Sequence, residues 1–264
     1  MQKVLSKNEN NIDQLYTLFT REQLAPLLRA QDKWMKKNPD ATDAQWSQAM
    51  VLESLSHLDE EEPFWTFVAA RIYLVQVYSE MAILRSCSVD EVYEDFYKHL
   101  TRLTDKGLYD ARLLQAYTKE EITTLGEILE PERDSLFTYI GLKTLMDRYV
   151  ARDFDKTSAE LPQERWLIIA MTLMQNESMN RLEKVKEAYW AMSHLYMTVA
   201  TPTLSNAGKP HGQLSSCFID TVDDSLQGIY DSNTDVATLS KYGGGIGIYM
   251  GKVRSRGSSI RGFK

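Results

Sequence analysis

Cysteine is scarce: Cys87 and Cys217 are the two in 264 residues. A small secreted scaffold carries more, and a structural zinc site takes four N/S ligands, so a reduced, cytoplasmic setting is expected. The histidines, at positions 57, 99, 194 and 211, are scattered and form no metal-binding spacing with a carboxylate, so no metal site is expected. Long apolar runs are missing too. The most apolar stretch, residues 64–84, is interrupted by Arg71, Gln76 and Glu80. It falls short of the ~18 uncharged residues of a membrane span and reads as a buried core helix. The charged first residues are followed by no apolar segment, so no signal peptide is expected. Positive charge is in deficit, with Lys+Arg 30 against Asp+Glu 37 and a formal net charge of −7. Such a chain lacks the field that gathers nucleic acid or anionic lipid, and neither a nucleic acid nor a membrane is expected as a partner.

Glycine is thin at first and dense later. Residues 1–200 contain only Gly107, Gly126 and Gly141, and the other ten lie from Gly208 onward. The glycine-poor part favours helices, the glycine-rich part tight turns and close backbone approach. With 43% hydrophobic residues a sizeable core is available, enough for one large domain or two ordinary ones. Capping boxes are legible at Thr42–Gln45, Ser88–Glu91 and Thr118–Glu121. Pro63 after Glu60-Glu61-Glu62 marks the first turn of the apolar helix. Val92, Phe96, Leu100 and Leu103 recur at helical spacing, as do Leu182, Val185, Tyr189 and Met192. Gly107 is positioned to end a helix. Residues 149–152 read as a short strand or a helix end, 153–162 as a loop, and helix resumes at Gln163 and near Glu183. The tail reads β-α-β: a strand at 215–220, a helix capped by Asp223-Asp224-Ser225, a glycine break at 243–245, and a strand over 246–253.

Several motifs in that tail carry two readings. Gly245-Ile246-Gly247-Ile248-Tyr249-Met250-Gly251 is one residue longer than a dinucleotide fingerprint and runs from helix to strand, the reverse of the Rossmann order. It is either a turn that uses glycine's conformational freedom or a place where backbone approaches a ligand. Cys217, in Leu214-Ser215-Ser216-Cys217-Phe218, is a small strand hydrophobe or a thiol flanked by hydroxyl donors. The hydroxyl-rich segment 201–208 is expected to be a loop, plain or cradling phosphate and ribose. Lys252, Arg254, Arg256, Arg261 and Lys264 form the one basic cluster, with Arg254 and Arg256 on one face if the strand extends that far.

Taken together, Ala200-Thr201-Pro202-Thr203-Leu204-Ser205-Asn206-Ala207-Gly208, Gln213-Leu214-Ser215-Ser216-Cys217-Phe218, Asp223-Asp224-Ser225-Leu226 and Ser240-Lys241-Tyr242-Gly243-Gly244-Gly245-Ile246-Gly247 closely resemble the large, catalytic subunit family of ribonucleotide reductases in order and spacing. The segments 67–71 and 134–139 fit the same family more loosely, and the first ~40 residues match poorly. The resemblance implies a mainly α N-terminal domain, residues 1–212, followed by the first β-α-β portion of an incomplete ten-stranded α/β barrel, residues 213–264. No ATP-cone is recognisable before Thr42, and the chain is expected to be about the first third of a large subunit, inactive alone.

The resemblance also implies chemistry. The family reduces ribonucleotides at C2′ by a thiyl-radical route, feeding deoxyribonucleotide synthesis and DNA replication. Cys217 matches the first cysteine of the redox pair that becomes a disulfide; its partner lies outside this sequence. Thr201, Ser216, Cys217 and Gly245 match substrate-contacting positions. Asp224, Ser225, Leu226, Arg254 and Arg261 match the allosteric site for a deoxynucleoside triphosphate, with ATP also an effector; the Asp224 carboxylate is assigned to the sugar or to a bound Mg²⁺. A class I diphosphate reductase is expected, distinguished by its long helical region from the cobalamin-dependent class II. Its partners would be the remainder of the large subunit, a second large subunit, a separate metal-containing small subunit that supplies the radical, and a thioredoxin or glutaredoxin-type reductant. The rival reading is a non-catalytic module that binds nucleotide or mediates assembly.

Overall fold

The structure is a computed structural model that describes residue 15 and residues 18–259; Arg261 lies outside the described residues. Two compact units divide between Thr198 and Val199.

The first unit is helical. In chain order it contains α1 (Arg21–Lys37), α2 (Asp43–Ser56), α3 (Trp65–Arg85), α4 (Phe96–Asp105), α5 (Arg112–Ala116), α6 (Lys119–Gly126), α7 (Tyr139–Arg148), α8 (Pro162–Met174) and α9 (Arg181–Ser193). The core runs along α3, which packs on α2 and α7, while α8 packs on α9. Leu24, Leu27, Trp46, Met50, Trp65, Val68 and Ile72 are fully enclosed there. The length and composition of α3 would also allow it to cross a membrane, but here half of that apolar stretch is buried inside the protein. Its exclusion of water comes from neighbouring helices, the expected place for a helix apolar on all sides.

The expected caps form. Thr42 N donates to Gln45 Oε1 at 2.9 Å, and Thr42 Oγ1 accepts from Gln45 N at 3.3 Å. Thr118 and Glu121 exchange the same pair at 2.8 and 3.2 Å. Thr20 and Gln23 make another box, at the start of α1. The box at Ser88 closes a short 3-10 helix, Val89–Glu91, instead of an α-helix. α4 then begins anew at Phe96, because Asp95 turns left-handed (φ 51°) and caps it with its own side chain. Val92 still joins Phe96, Leu100 and Leu103 in the core. Gly107, at φ 73°, ends α4. Pro63 stands two residues before α3; the acids build the entry turn, with Asp59 accepting from the Glu61 and Glu62 amides at 2.9 and 2.7 Å.

The second unit holds α10 (Thr201–Asn206), β1 (Cys217–Thr221), α11 (Leu226–Lys241) and β2 (Gly245–Tyr249). β1 and β2 pair in parallel with Cys217 opposite Gly245, Ile219 opposite Gly247 and Thr221 opposite Tyr249. Side chains alternate across the pair. Phe218 and Asp220 turn toward α11 and are half-buried, while Cys217, Ile219 and Thr221 are exposed on the other face. β2 is shorter than the 246–253 expected, since Val253 N folds back on Met250 O at 3.0 Å and makes a turn. Arg254 and Arg256 therefore lie beyond the strand and share no strand face. Within the segment 201–208, where a loop was expected, Thr201–Asn206 form the short helix α10: Pro202 occupies its first turn, a position that suits proline's fixed φ and missing N–H.

Candidate functional site

Cys217 opens β1 on the helix-free face. Ser216 Oγ donates to its sulfur at 3.4 Å, and Gly245 N donates to Ser216 O at 2.8 Å. A Cβ at Gly245 would stand 3.3 Å from that same carbonyl, a tight contact that glycine avoids. The three residues are thus joined in one patch. α10 steadies the approach to it. Thr203 Oγ1 donates to Leu214 O at 2.8 Å and Asn206 Nδ2 to Gln213 O at 2.9 Å. Gln213 in turn donates to Tyr242 O at 3.3 Å, linking this segment to the end of α11. The Thr203 hydroxyl is buried and engaged in this scaffold, whereas Thr201 opens α10 and is exposed. Sequence reasoning singled out neither Thr203 nor Asn206; side chains of this kind within a hydroxyl-rich run were the available signal.

The second group of expected site residues gathers at the start of α11. Ser225 is the cap, accepting from Gly228 N at 3.0 Å. The acids before it, expected to cap the helix, are paired with bases instead. Asp224 accepts from Arg254 Nε at 2.7 Å, and Asp223 lies 3.4 Å from Lys252 Nζ. Arg254 also donates to Asp224 O at 3.3 Å and Ser259 O at 3.1 Å. Its hydrogen bond holds the Asp224 carboxyl below the usual range. Gly228 is needed for the tight first turn, because a Cβ there would meet Asp223 Cβ at 2.8 Å. Leu226 is 75% exposed. The helix N-terminus and a guanidinium so arranged can receive an anion, provided the anion displaces Asp224 from Arg254. Among the described residues, no group of three or more His, Cys, Asp or Glu is arranged to hold a metal ion.

Residues 135–212 match the family model for the all-alpha domain of ribonucleotide reductase, and residues 215–264 match that for its barrel domain. The chain belongs to the ribonucleotide reductase large-subunit family. It is 41% identical over 234 residues to the ribonucleoside-diphosphate reductase subunit alpha of Treponema pallidum, covering 88% of this chain and 27% of that protein. The same-named protein of Helicobacter pylori strain J99 is 37% identical over 84% of this chain and 27% of its own length. That of Enterobacteria phage T4 is 31% identical over 81% of this chain and 28% of its own length. The chain therefore spans about a quarter of the length of these curated relatives. The β-α-β segment is the start of the reductase barrel, preceded by the mainly helical region.

The helical unit of this reductase chain contains a polar core that the sequence did not reveal. Asp134, 1% exposed, accepts from Tyr78 Oη at 2.7 Å, from Tyr93 Oη at 2.5 Å and from Gln163 Nε2 at 2.6 Å. Tyr189 continues the chain of bonds by donating to Gln163 Oε1 at 2.9 Å. Glu160 is equally enclosed, accepting from Tyr109 and from Ala151 N. Burial lifts the Asp134 carboxyl to about 6, against the pull of its three donors. Burial, with the charges of Arg85 and Arg102, lowers His99 to about 4.

A raised acid binds more protons folded than unfolded. Its stabilising contribution is complete below about pH 3.8 and fades as pH rises through about 6. His99 has the opposite slope, its contribution being present above about pH 6.5 and lost as pH falls through about 4. Asp134→Asn should thus gain on the wild type by about 2 kcal/mol between pH 4 and 7. Urea unfolding of both proteins across that range checks it; a constant gap contradicts a raised Asp134.

Proposed function

We propose that this chain supplies a redox cysteine, substrate contacts and the effector site of a class I ribonucleoside-diphosphate reductase. It works with the rest of a large subunit, a second large subunit and a small subunit that supplies the radical, in a cytoplasmic setting, and is inactive alone. The observation that carries this reading is the position of Cys217 on the helix-free face, in register with Gly245. In an α/β barrel the helices form the outer layer, so the helix-free face lines the interior where substrate sits. Cys217 and a second cysteine from the remaining barrel give two electrons to the ribose and end as a disulfide, while the C2′ hydroxyl leaves as water. A thioredoxin or glutaredoxin-type dithiol regenerates them by exchange. Thr201 and Ser216 hold the ribose and diphosphate through their hydroxyls, and Gly245, whose own amide is taken by Ser216 O, lets them approach by having no side chain.

The effector is a deoxynucleoside triphosphate, or ATP, carrying its own Mg²⁺. Arg254 and Arg261 take the phosphates, the α11 N-terminus at Ser225 and Leu226 adds its dipole, and Asp224, released from Arg254, turns to the sugar. Completion with the missing barrel portion and a small subunit should yield deoxyribonucleotide formation that responds to dTTP. An assembled complex that binds diphosphate and forms no product overturns the reading in favour of a non-catalytic nucleotide-binding module. Arg254→Ala should weaken dTTP binding by roughly 10–100-fold in calorimetry, the worth of one charge-assisted contact. Unchanged affinity would remove Arg254 from the site.

A further inference from the structure

β1 carries an acid on the side of the sheet that packs against a helix. Phe218 and Asp220 are its two half-buried residues. The Phe218 ring lies against Gly244, where a Cβ would stand 2.7 Å from it. Asp220 cannot pack in that way, and a carboxylate under a helix is unfavourable unless a donor meets it. Ser232, midway along α11, donates its hydroxyl to Asp220 Oδ2. Ser232 is 6% exposed and is the single buried residue of α11 among the described residues. The apolar residues of the helix contribute less: Leu226, Ile229 and Tyr230 are exposed, and Val236 and Leu239 are half-buried. The described seat of α11 on β1 is therefore a directional polar bond more than an apolar face. Apolar contact tolerates sliding; a hydrogen bond to a carboxylate fixes register.

The location of this bond gives it a role. Ser232 follows the Ser225 cap by about two turns, roughly 10 Å of helix. Asp220 follows Cys217 by three residues, roughly 10 Å of strand. We propose that the Asp220–Ser232 hydrogen bond is the strut relating the effector-binding end of α11 to the Cys217 strand, with Asp220 a positioning residue through which effector occupancy alters the geometry at the thiol. This inference rests on the effector reading above. When a triphosphate draws Arg254 from Asp224, the α11 N-terminus shifts, and the strut passes that shift to β1.

The test uses the completed enzyme, large and small subunits together, with dTTP as the effector probe and the ribonucleoside diphosphates as competing substrates. Asp220→Leu should reduce the dTTP-induced change in relative substrate turnover by about tenfold, with effector-free turnover within about twofold of wild type. Calorimetric dTTP affinity should stay within about threefold. Ser232→Ala, a smaller change that keeps the fold if Asp220→Leu does not, should give the same loss. Asp220→Asn keeps an oxygen acceptor and should restore most of the dTTP response, which a general packing defect would not. The proposal is overturned if both Asp220→Leu and Ser232→Ala retain the wild-type response, or if they lower effector-free and effector-stimulated turnover equally. A wild-type enzyme that binds no dTTP overturns the underlying effector reading itself.

Discussion

Cys217→Ser should abolish multiple turnover in the completed enzyme, lowering it by roughly 10³-fold or more, about 4 kcal/mol of lost transition-state stabilisation. Serine matches cysteine in shape, yet its hydroxyl can form no disulfide and deliver no electrons to the ribose. The loss should be chemical and not structural. Cys217 is exposed, and its side chain is met by the Ser216 hydroxyl at 3.4 Å, a weak contact that serine can replace. Circular dichroism and dTTP titration of the variant should accordingly match the wild type. The decisive measurement is product formed per enzyme with excess dithiol reductant. Sustained turnover by Cys217→Ser would remove the thiol from the electron path.

The largest stability effect is expected at the buried pair Arg85–Glu164. Two parallel bonds of 2.8 Å join guanidinium to carboxylate, with side chains 1% and 3% exposed. Glu164 also accepts from Leu161 N at 2.8 Å, and Arg85 reaches the carbonyls of Val92 and Ala159. One residue thereby ties the end of α3 to the turn before α4 and to the entry of α8. Glu164→Ala strands the guanidinium without its counter-ion and should destabilise the helical unit by about 3–5 kcal/mol in urea unfolding. The double replacement Arg85→Met with Glu164→Leu removes both charges together and should recover much of that loss. A double variant no more stable than Glu164→Ala would mean that the bonds to Val92 and Ala159, and not the ion pair, hold this junction.

Much of the helical unit was legible because its signals are local. A capping box needs residues three apart, and a helical stripe needs a period, so Thr42–Gln45, Thr118–Glu121 and the Val185–Tyr189–Met192 stripe could be read directly. α10 escaped because six residues give no period, and its serine and threonines resemble loop composition. Asp223 and Asp224 have the chemistry of a cap, but their basic partners lie about thirty residues onward, leaving Ser225 to close the helix. The Asp134 network was invisible for the same reason. Its donors come from positions 29 to 56 residues away in the chain. At the candidate site, the glycine-rich tail announced close backbone approach, and the structure adds what is approached: Ser216 O at Gly245, Asp223 at Gly228 and Phe218 at Gly244.

The two-stranded pairing of β1 with β2 has a practical corollary. Among the described residues each strand is matched on one flank only, and Ile219, 87% exposed, stands on the uncovered side. Unmatched flanks with apolar neighbours are adhesive toward any extended peptide. A preparation of these 264 residues by themselves should therefore be prone to concentration-dependent self-association through this half-sheet, and a peptide that supplies the next strand should act as its solubiliser.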